Sequence, residues 1–241
     1  VDLTASRKSH FRIFFLMGKR VFIVGGGPSL IGFDFNKLIN EDTIAINRSV
    51  FNLPRAKYFL TMDYTFLSKM SLQGARVNHK RLVDFVSNPS EKVFVVGFDD
   101  RRFKKRSDIE ILDTFTGMVY DLHLFNKVIW ASARGGIGMS MEDFRSSSDS
   151  GFSALQLAAL LGYNEIYLLG MDFLVSKSGT HYHKDYGSDK KNYQDRLDWF
   201  YTEYGRAFSD IREKLNIKVF SCSRISKLNE LIPFANIEEV L

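Results

Sequence analysis

The stretch Val21-Phe22-Ile23-Val24-Gly25-Gly26-Gly27-Pro28-Ser29-Leu30 constrains the fold more than any other part of the chain. Four apolar, β-favouring residues in succession read as a strand buried on both faces, the pattern of a parallel sheet covered by helices above and below. Three glycines follow, where the backbone can turn tightly and a ligand can approach the N–H groups without meeting a Cβ. Pro28 pre-sets φ for a first helical turn and Ser29 adds a hydroxyl. A turn of this kind presents backbone donors to an anion such as phosphate. It is neither the dinucleotide fingerprint nor the P-loop: Gly25 and Gly27 give G-x-G, but Leu30 stands at the third glycine position and no Gly-Lys-Ser/Thr follows. A plain strand-to-helix connection reads the same residues equally well.

Further along, apolar runs end again and again in polar residues. Thr43-Ile44-Ala45-Ile46 closes on Asn47-Arg48, and Tyr58-Phe59-Leu60-Thr61-Met62 closes on Asp63. In an open parallel sheet ligands sit outside the carboxyl ends of the strands, so these tips face one crevice. Asn47 is placed to hydrogen-bond a ribose or a base, or to cap the turn that follows. Asp63 can accept from a hydroxyl, hold a metal, or cap a helix near Tyr64. Glu91 to Gly97 is a fourth strand. Asp149-Ser150-Gly151 then opens a buried helix that Gly162 ends, and Glu165 to Gly170 is a strand leading into Met171-Asp172-Phe173. This unit brings Ser150, Gly151, Gly170, Asp172 and Phe173 to the same edge. A helix from Tyr193 to Leu215, a strand at Ile217 to Ser221 and a short terminal helix complete the pattern.

Two regions break this regularity. Between about 98 and 148 no period is visible, and Arg101-Arg102-Phe103-Lys104-Lys105-Arg106 and Ala133-Arg134-Gly135-Gly136-Ile137-Gly138 fall inside it; the region reads as a lid or acceptor-binding insertion. The second is the loop Ser176 to Gly187, which holds His181 and His183. Both lie in polar surroundings just past a sheet edge, which suits acid–base or ligand chemistry. His-x-His without further ligands at metal spacing does not make a zinc site.

The fold class expected is therefore α/β, a Rossmann-like and mostly parallel sheet with helices on both faces and an irregular lid insertion. Residues 1–241 read as one Rossmann-like domain, with the insertion at about 98–148. A hydrophobic content of 45% and a charged content of 25% are those of a globular protein. The net charge of +5 permits nucleic acid, anionic lipid or a phosphorylated small molecule and does not choose among them. The single cysteine, Cys222, excludes an intramolecular disulfide and suits a reducing compartment. No segment is long enough to span a bilayer. A soluble, cytoplasmic protein is expected, able to touch a membrane surface through its basic and aromatic face.

The segments Ile23 to Leu30, Ile46-Asn47-Arg48, Ser150-Gly151, Leu161 to Phe173 and Thr180-His181-Tyr182, in this order, resemble the bacterial sialyltransferases of glycosyltransferase family 42. They are also similar to the wider 6-hydroxymethylpterin diphosphokinase-like proteins, among them the catalytic domain of motility-associated flagellin glycosyltransferases. The resemblance implies a metal-independent, inverting transfer of sialic acid, or a related nonulosonate, from a CMP-activated donor to a glycan or protein hydroxyl, with no cofactor. It makes His181 the general base and places Gly26, Gly27, Pro28, Ser29, Asn47, Ser150 and Gly151 on the nucleotide. Backbone N–H groups at Gly27 and Ser150 would stabilise the leaving phosphate. The sequence departs from the family pattern at Gly26 and Asp63, both asparagine there, and at Leu174, a tyrosine there, while the family arginine ahead of Ser-Gly falls near Ser147. Arg48, Arg134, Lys184 and Tyr186 are candidates to replace those leaving-group contacts. The partners expected are a CMP-sugar donor and a glycan or protein acceptor, with no nucleic acid. The second reading is magnesium-dependent pyrophosphate transfer from ATP to a pterin-like alcohol, with Asp63 and Asp172 as the metal ligands.

Overall fold

A computed structural model describes residues 19–64, 66, 79–97, 102–132, 134–147, 149–174 and 190–241. Seven parallel strands form the central sheet: β1 (Arg20–Val24), β2 (Thr43–Ile46), β3 (Tyr58–Thr61), β4 (Glu91–Val96), β8 (Lys127–Trp130), β9 (Glu165–Leu169) and β10 (Lys218–Ser221). Their order is β10-β9-β1-β2-β3-β4-β8, every neighbouring pair parallel. From β1 the chain builds outward to β8, then returns to the other side of β1 for β9 and β10. The order of winding thus reverses between β1 and β9.

Each strand presents alternate residues to two cores, which is why these runs are apolar throughout. On one face Val21, Ile23, Ile44, Ile46, Leu60, Val93, Val95, Ile129, Ile166 and Leu168 pack under α2 (Ser150–Leu160) and α3 (Lys190–Asp210). Residues Ser150 to Ala159 of α2 are all buried, and Ala154 and Ala158 let the helix lie close to β1, β2 and β3. A fully buried leucine such as Leu155 contributes about 1.5–3 kcal/mol, so α2 is fixed as firmly as the strands beneath it. Along α3 the inward stripe is Leu197, Phe200, Tyr204, Ala207 and Phe208, with Trp199 and Arg206 outward. The helix closes in a π-turn, Ile211–Leu215, capped by the left-handed Asn216.

On the opposite face Phe22, Val24, Ala45, Phe59, Tyr167 and Leu169 pack against α1 (His79–Ser87) and three 3-10 turns, Pro28–Leu30, Phe35–Leu38 and Asn47–Asn52. Phe22, Tyr167 and Phe220 occupy one row across β1, β9 and β10 and stack at centroid distances of 5.0 and 5.1 Å. Such cross-strand rings pin the register of the two strands added last. The short α4 (Ile237–Val240) docks beside β1, where Arg20 pairs with Glu41 and donates to the carbonyl of Val240.

The expected irregular insertion is more ordered than its sequence suggests. β5 (Phe103–Lys105), β6 (Glu110–Asp113) and β7 (Val119–Asp121) form a small antiparallel sheet. Its inner face, Phe103 and Ile111, packs on Phe94, Val96 and Leu122, with Tyr64 stacked on Phe103 at 4.0 Å. Lys127–Trp130, inside the same region, is the seventh strand of the main sheet. β4 and β8 are parallel neighbours, so the antiparallel sheet occupies the crossover that a helix usually makes. Three cations of the basic run at its start pair with carboxylates, Arg102 with Asp113, Lys105 with Asp108 and Arg106 with Glu110. No helix among the described residues is long and apolar enough to cross a membrane.

Candidate functional site at the carboxyl edge of the sheet

The reversal between β1 and β9 creates a crevice at their carboxyl ends, where the connections leave in opposite directions. Its base is closed by backbone hydrogen bonds that continue the pairing past both strands. Gly25 N–H donates to Leu169 O at 2.8 Å and Gly27 N–H to Gly170 O at 2.7 Å. The glycines are needed for this approach: a Cβ on Gly27 would sit 2.6 Å from Asp172 Oδ2 and 2.7 Å from Gly170 O. The helix expected after Pro28 is one 3-10 turn, because Ile31 is extended and Gly32 takes φ +79°.

The neighbouring strand tips join this edge through side chains. Ser49 donates its hydroxyl to Gly25 O at 2.6 Å, tying the end of β2 to that of β1. Asn47 is left-handed, φ 52°, and its Oδ1 accepts from Thr61 Oγ1 at 2.6 Å; Thr61 Oγ1 in turn accepts from Asp63 N–H at 3.0 Å. Ser150 Oγ accepts from Met62 N–H at 3.2 Å, which fixes the first turn of α2 against the end of β3. Phe173, beyond β9, is also left-handed at φ 55°, a conformation a bulky residue seldom adopts. Its ring meets Tyr204 of α3 edge-on at 4.8 Å.

Gly26, Gly27, Pro28, Ser29, Asn47, Arg48, Asp63, Ser150, Gly151, Gly170, Asp172 and Phe173 therefore all stand along one edge. They divide by exposure. Gly26, Ser29, Asn47, Arg48 and Asp63 are half-buried and line the surface, whereas Gly27, Pro28, Ser150, Gly151, Gly170, Asp172 and Phe173 are buried and support it. His181 and His183, with Lys184 and Tyr186, lie outside the described residues.

Two carboxylates, buried Asp172 and half-buried Asp149, change the reading of the anion sites. Asp172, 2% exposed, takes Ser29 N–H at 2.7 Å on Oδ2 and the Ser29 hydroxyl at 2.6 Å on Oδ1. Asp149 caps α2: its Oδ2 accepts from Phe152 N–H at 2.9 Å and from the Tyr204 hydroxyl at 2.6 Å. Burial pushes the Asp149 carboxyl above its ordinary range, against the opposing effect of those donors. Of the two donors assigned from sequence to a phosphate, Gly27 N–H is thus engaged internally by Gly170 O, and in the first turn of α2 Asp149 takes Phe152 N–H. Arg48, half-buried, stands at the same edge. Both oxygens of Asp172 are engaged by Ser29, and among the described residues no three His, Cys, Asp or Glu side chains gather. Cys222, its thiol pushed up to about 12 by burial, offers no thiolate.

The arrangement is a crevice at the carboxyl edge of an open parallel sheet, at the point where the strand order reverses. No protein-family model and no curated protein matches the chain. Solved structures do. The sialyltransferase CstII from Campylobacter jejuni in complex with cytidine-5'-monophosphate aligns over 90% of this chain and 85% of its own, with a TM-score of 0.53 and 16% identity. A CstII structure with a trisaccharide acceptor and CMP aligns over 90% and 86%, with a TM-score of 0.54 and 17% identity. The chain has the fold of the CstII sialyltransferases. At these identities the likeness is one of architecture.

Tyr204 is not among the site residues read from the sequence; it lies in the inward stripe of α3. A phenol in such a stripe needs a buried acceptor, and that was the signal available. The glycine-rich run 135–138 is held away from the crevice's strand tips: Gly138 N–H donates to Gln156 Oε1 at 2.7 Å, Ile137 N–H to Asp210, and Arg145 Nη1 to Gly135 O.

Proposed function

We propose that the chain is a glycosyltransferase that moves an acidic sugar, sialic acid or a related nonulosonate, from a CMP-activated donor to a hydroxyl of a glycan or protein. The observation that carries this reading is the crevice at the β1/β9 reversal, with Gly26, Asn47, Arg48 and Asp63 along it, in a fold shared with a sialyltransferase solved with CMP. Asn47 and Asp63, joined through Thr61, present amide and carboxylate groups suited to the hydroxyls and base of a nucleoside.

In this mechanism the acceptor oxygen attacks the anomeric carbon on the face opposite the phosphate and hands its proton to His181. The bond from that carbon to the phosphate oxygen breaks, CMP departs with both bonding electrons, and the configuration inverts. An imidazole with an ordinary pKa of about 6.5 is largely neutral at pH 7 and able to take that proton.

The test is a thermal-shift series with CMP, CDP, UDP, GDP, ADP and ATP, each with and without magnesium. A ligand that binds only the folded chain raises its apparent stability, so CMP is expected to raise Tm without magnesium. A rise with ATP alone, and only when magnesium is present, would replace this reading by pyrophosphate transfer. With CMP-sialic acid as donor, His181→Ala should lower turnover by at least about a hundredfold while Tm is unchanged.

A further inference from the structure

We infer that Tyr204 is a positioning residue of the donor crevice, holding the α2 end and the Gly170–Phe173 arm at one spacing and the carboxylate of Asp149 turned into the protein. The inference rests on the transferase reading above and deepens it.

Three contacts converge on this one side chain, which is 0% exposed. Its hydroxyl donates to Asp149 Oδ2 at 2.6 Å, its ring meets Phe173 at 4.8 Å, and the same ring meets Phe152 of α2 at 5.6 Å. Asp149 and Phe152 belong to one wall of the crevice and Phe173 to the other, so α3 bolts the two together. Gly151 belongs to the same joint: a Cβ there would lie 2.5 Å from Tyr204 Oη and 2.7 Å from the methyl of Met171. Neither Tyr204 nor Asp149 faces a substrate, so their effect on a ligand is carried through the residues they hold.

The hydroxyl has a second consequence. Asp149 sits one residue ahead of Ser150, and an unshared negative charge there repels a phosphate in the crevice. Tyr204, the first turn of α2 and Arg196 of α3 are the groups that take up that charge. Removing the hydroxyl leaves the carboxylate less well held and the phosphate less welcome. The nucleoside part, farther along the strand tips, is little affected.

The experiment measures binding of CMP and of cytidine by calorimetry to the full chain and to Tyr204→Phe, Asp149→Asn and the double variant, each checked for folding by its Tm. Wild type is expected to bind CMP. Tyr204→Phe is expected to lose about tenfold in CMP affinity, the scale of a hydrogen bond to a charged group, with cytidine affinity changed less than about twofold. In the double variant, where the carboxylate is gone, CMP affinity should return to within about twofold of Asp149→Asn alone. Equal losses for CMP and cytidine, or no loss for either, in a folded Tyr204→Phe overturn the positioning role and leave the transferase reading standing. Failure of the wild-type chain to bind CMP overturns both.

Discussion

At the scale of single residues, the site is defined by two internal carboxylates that take the backbone donors a phosphate would otherwise use. Asp172 closes the glycine turn through Ser29, and Asp149 closes the start of α2. For Asp149 this has a pH signature. Because burial raises its folded pKa, the folded chain holds that proton more tightly than the unfolded one. The resulting stability is whole below the ordinary carboxylate pKa of about 4 and is lost as pH rises through the folded value. Asparagine keeps the capping oxygen and carries no charge to desolvate. Asp149→Asn should therefore be no less stable than wild type at pH 7, with its advantage shrinking or reversing toward pH 4. Thermal denaturation across that range checks this, and an advantage that grows toward acid would contradict it.

At the scale of elements, six of the seven strands of the main sheet were readable because they are short apolar runs, and the polar residues after them gave the crevice; β8, only Lys127–Trp130 and at the sheet's edge, was lost in the aperiodic region around it. The internal pairing of Asp172 with Ser29 was not readable: the two are 143 positions apart and meet only through the β1/β9 contact. The antiparallel sheet was hidden for another reason. Its strands are three or four residues long, and four cations and four carboxylates over 102–121 mask the alternation of Phe103, Ile111 and Tyr120. Strands so short depend on the core beneath them. Phe103→Ala, which removes the ring stacked on Tyr64, should destabilise this sheet by about 3 kcal/mol or more. Hydrogen exchange at Ile111 and Leu112 should quicken accordingly while that of Ile23 stays unchanged; equal acceleration at both would mean that the two sheets unfold as one unit.

At the scale of the molecule, β1 and β9 form the axis on which everything else is hung, paired to each other over five positions and flanked on both sides. Cooperative opening should leave this pair until last. Amides of Val21–Val24 and Ile166–Leu169 are expected to exchange most slowly in native-state measurements, and those of β5 to β7 fastest among the strands; the opposite order would refute this picture. One consequence follows from where β8 lies. Since residues 97–126 connect two side-by-side parallel strands, they cannot be trimmed away like a surface ornament, and they reach the strand tips through Phe103 and Tyr120, whose rings meet Tyr64 beside Asp63. An ordinary amphipathic helix of sufficient reach could be grafted in their place. Such a module can therefore vary in form between otherwise equivalent proteins, altering what docks along the far flank while β1 and β9 stay as they are.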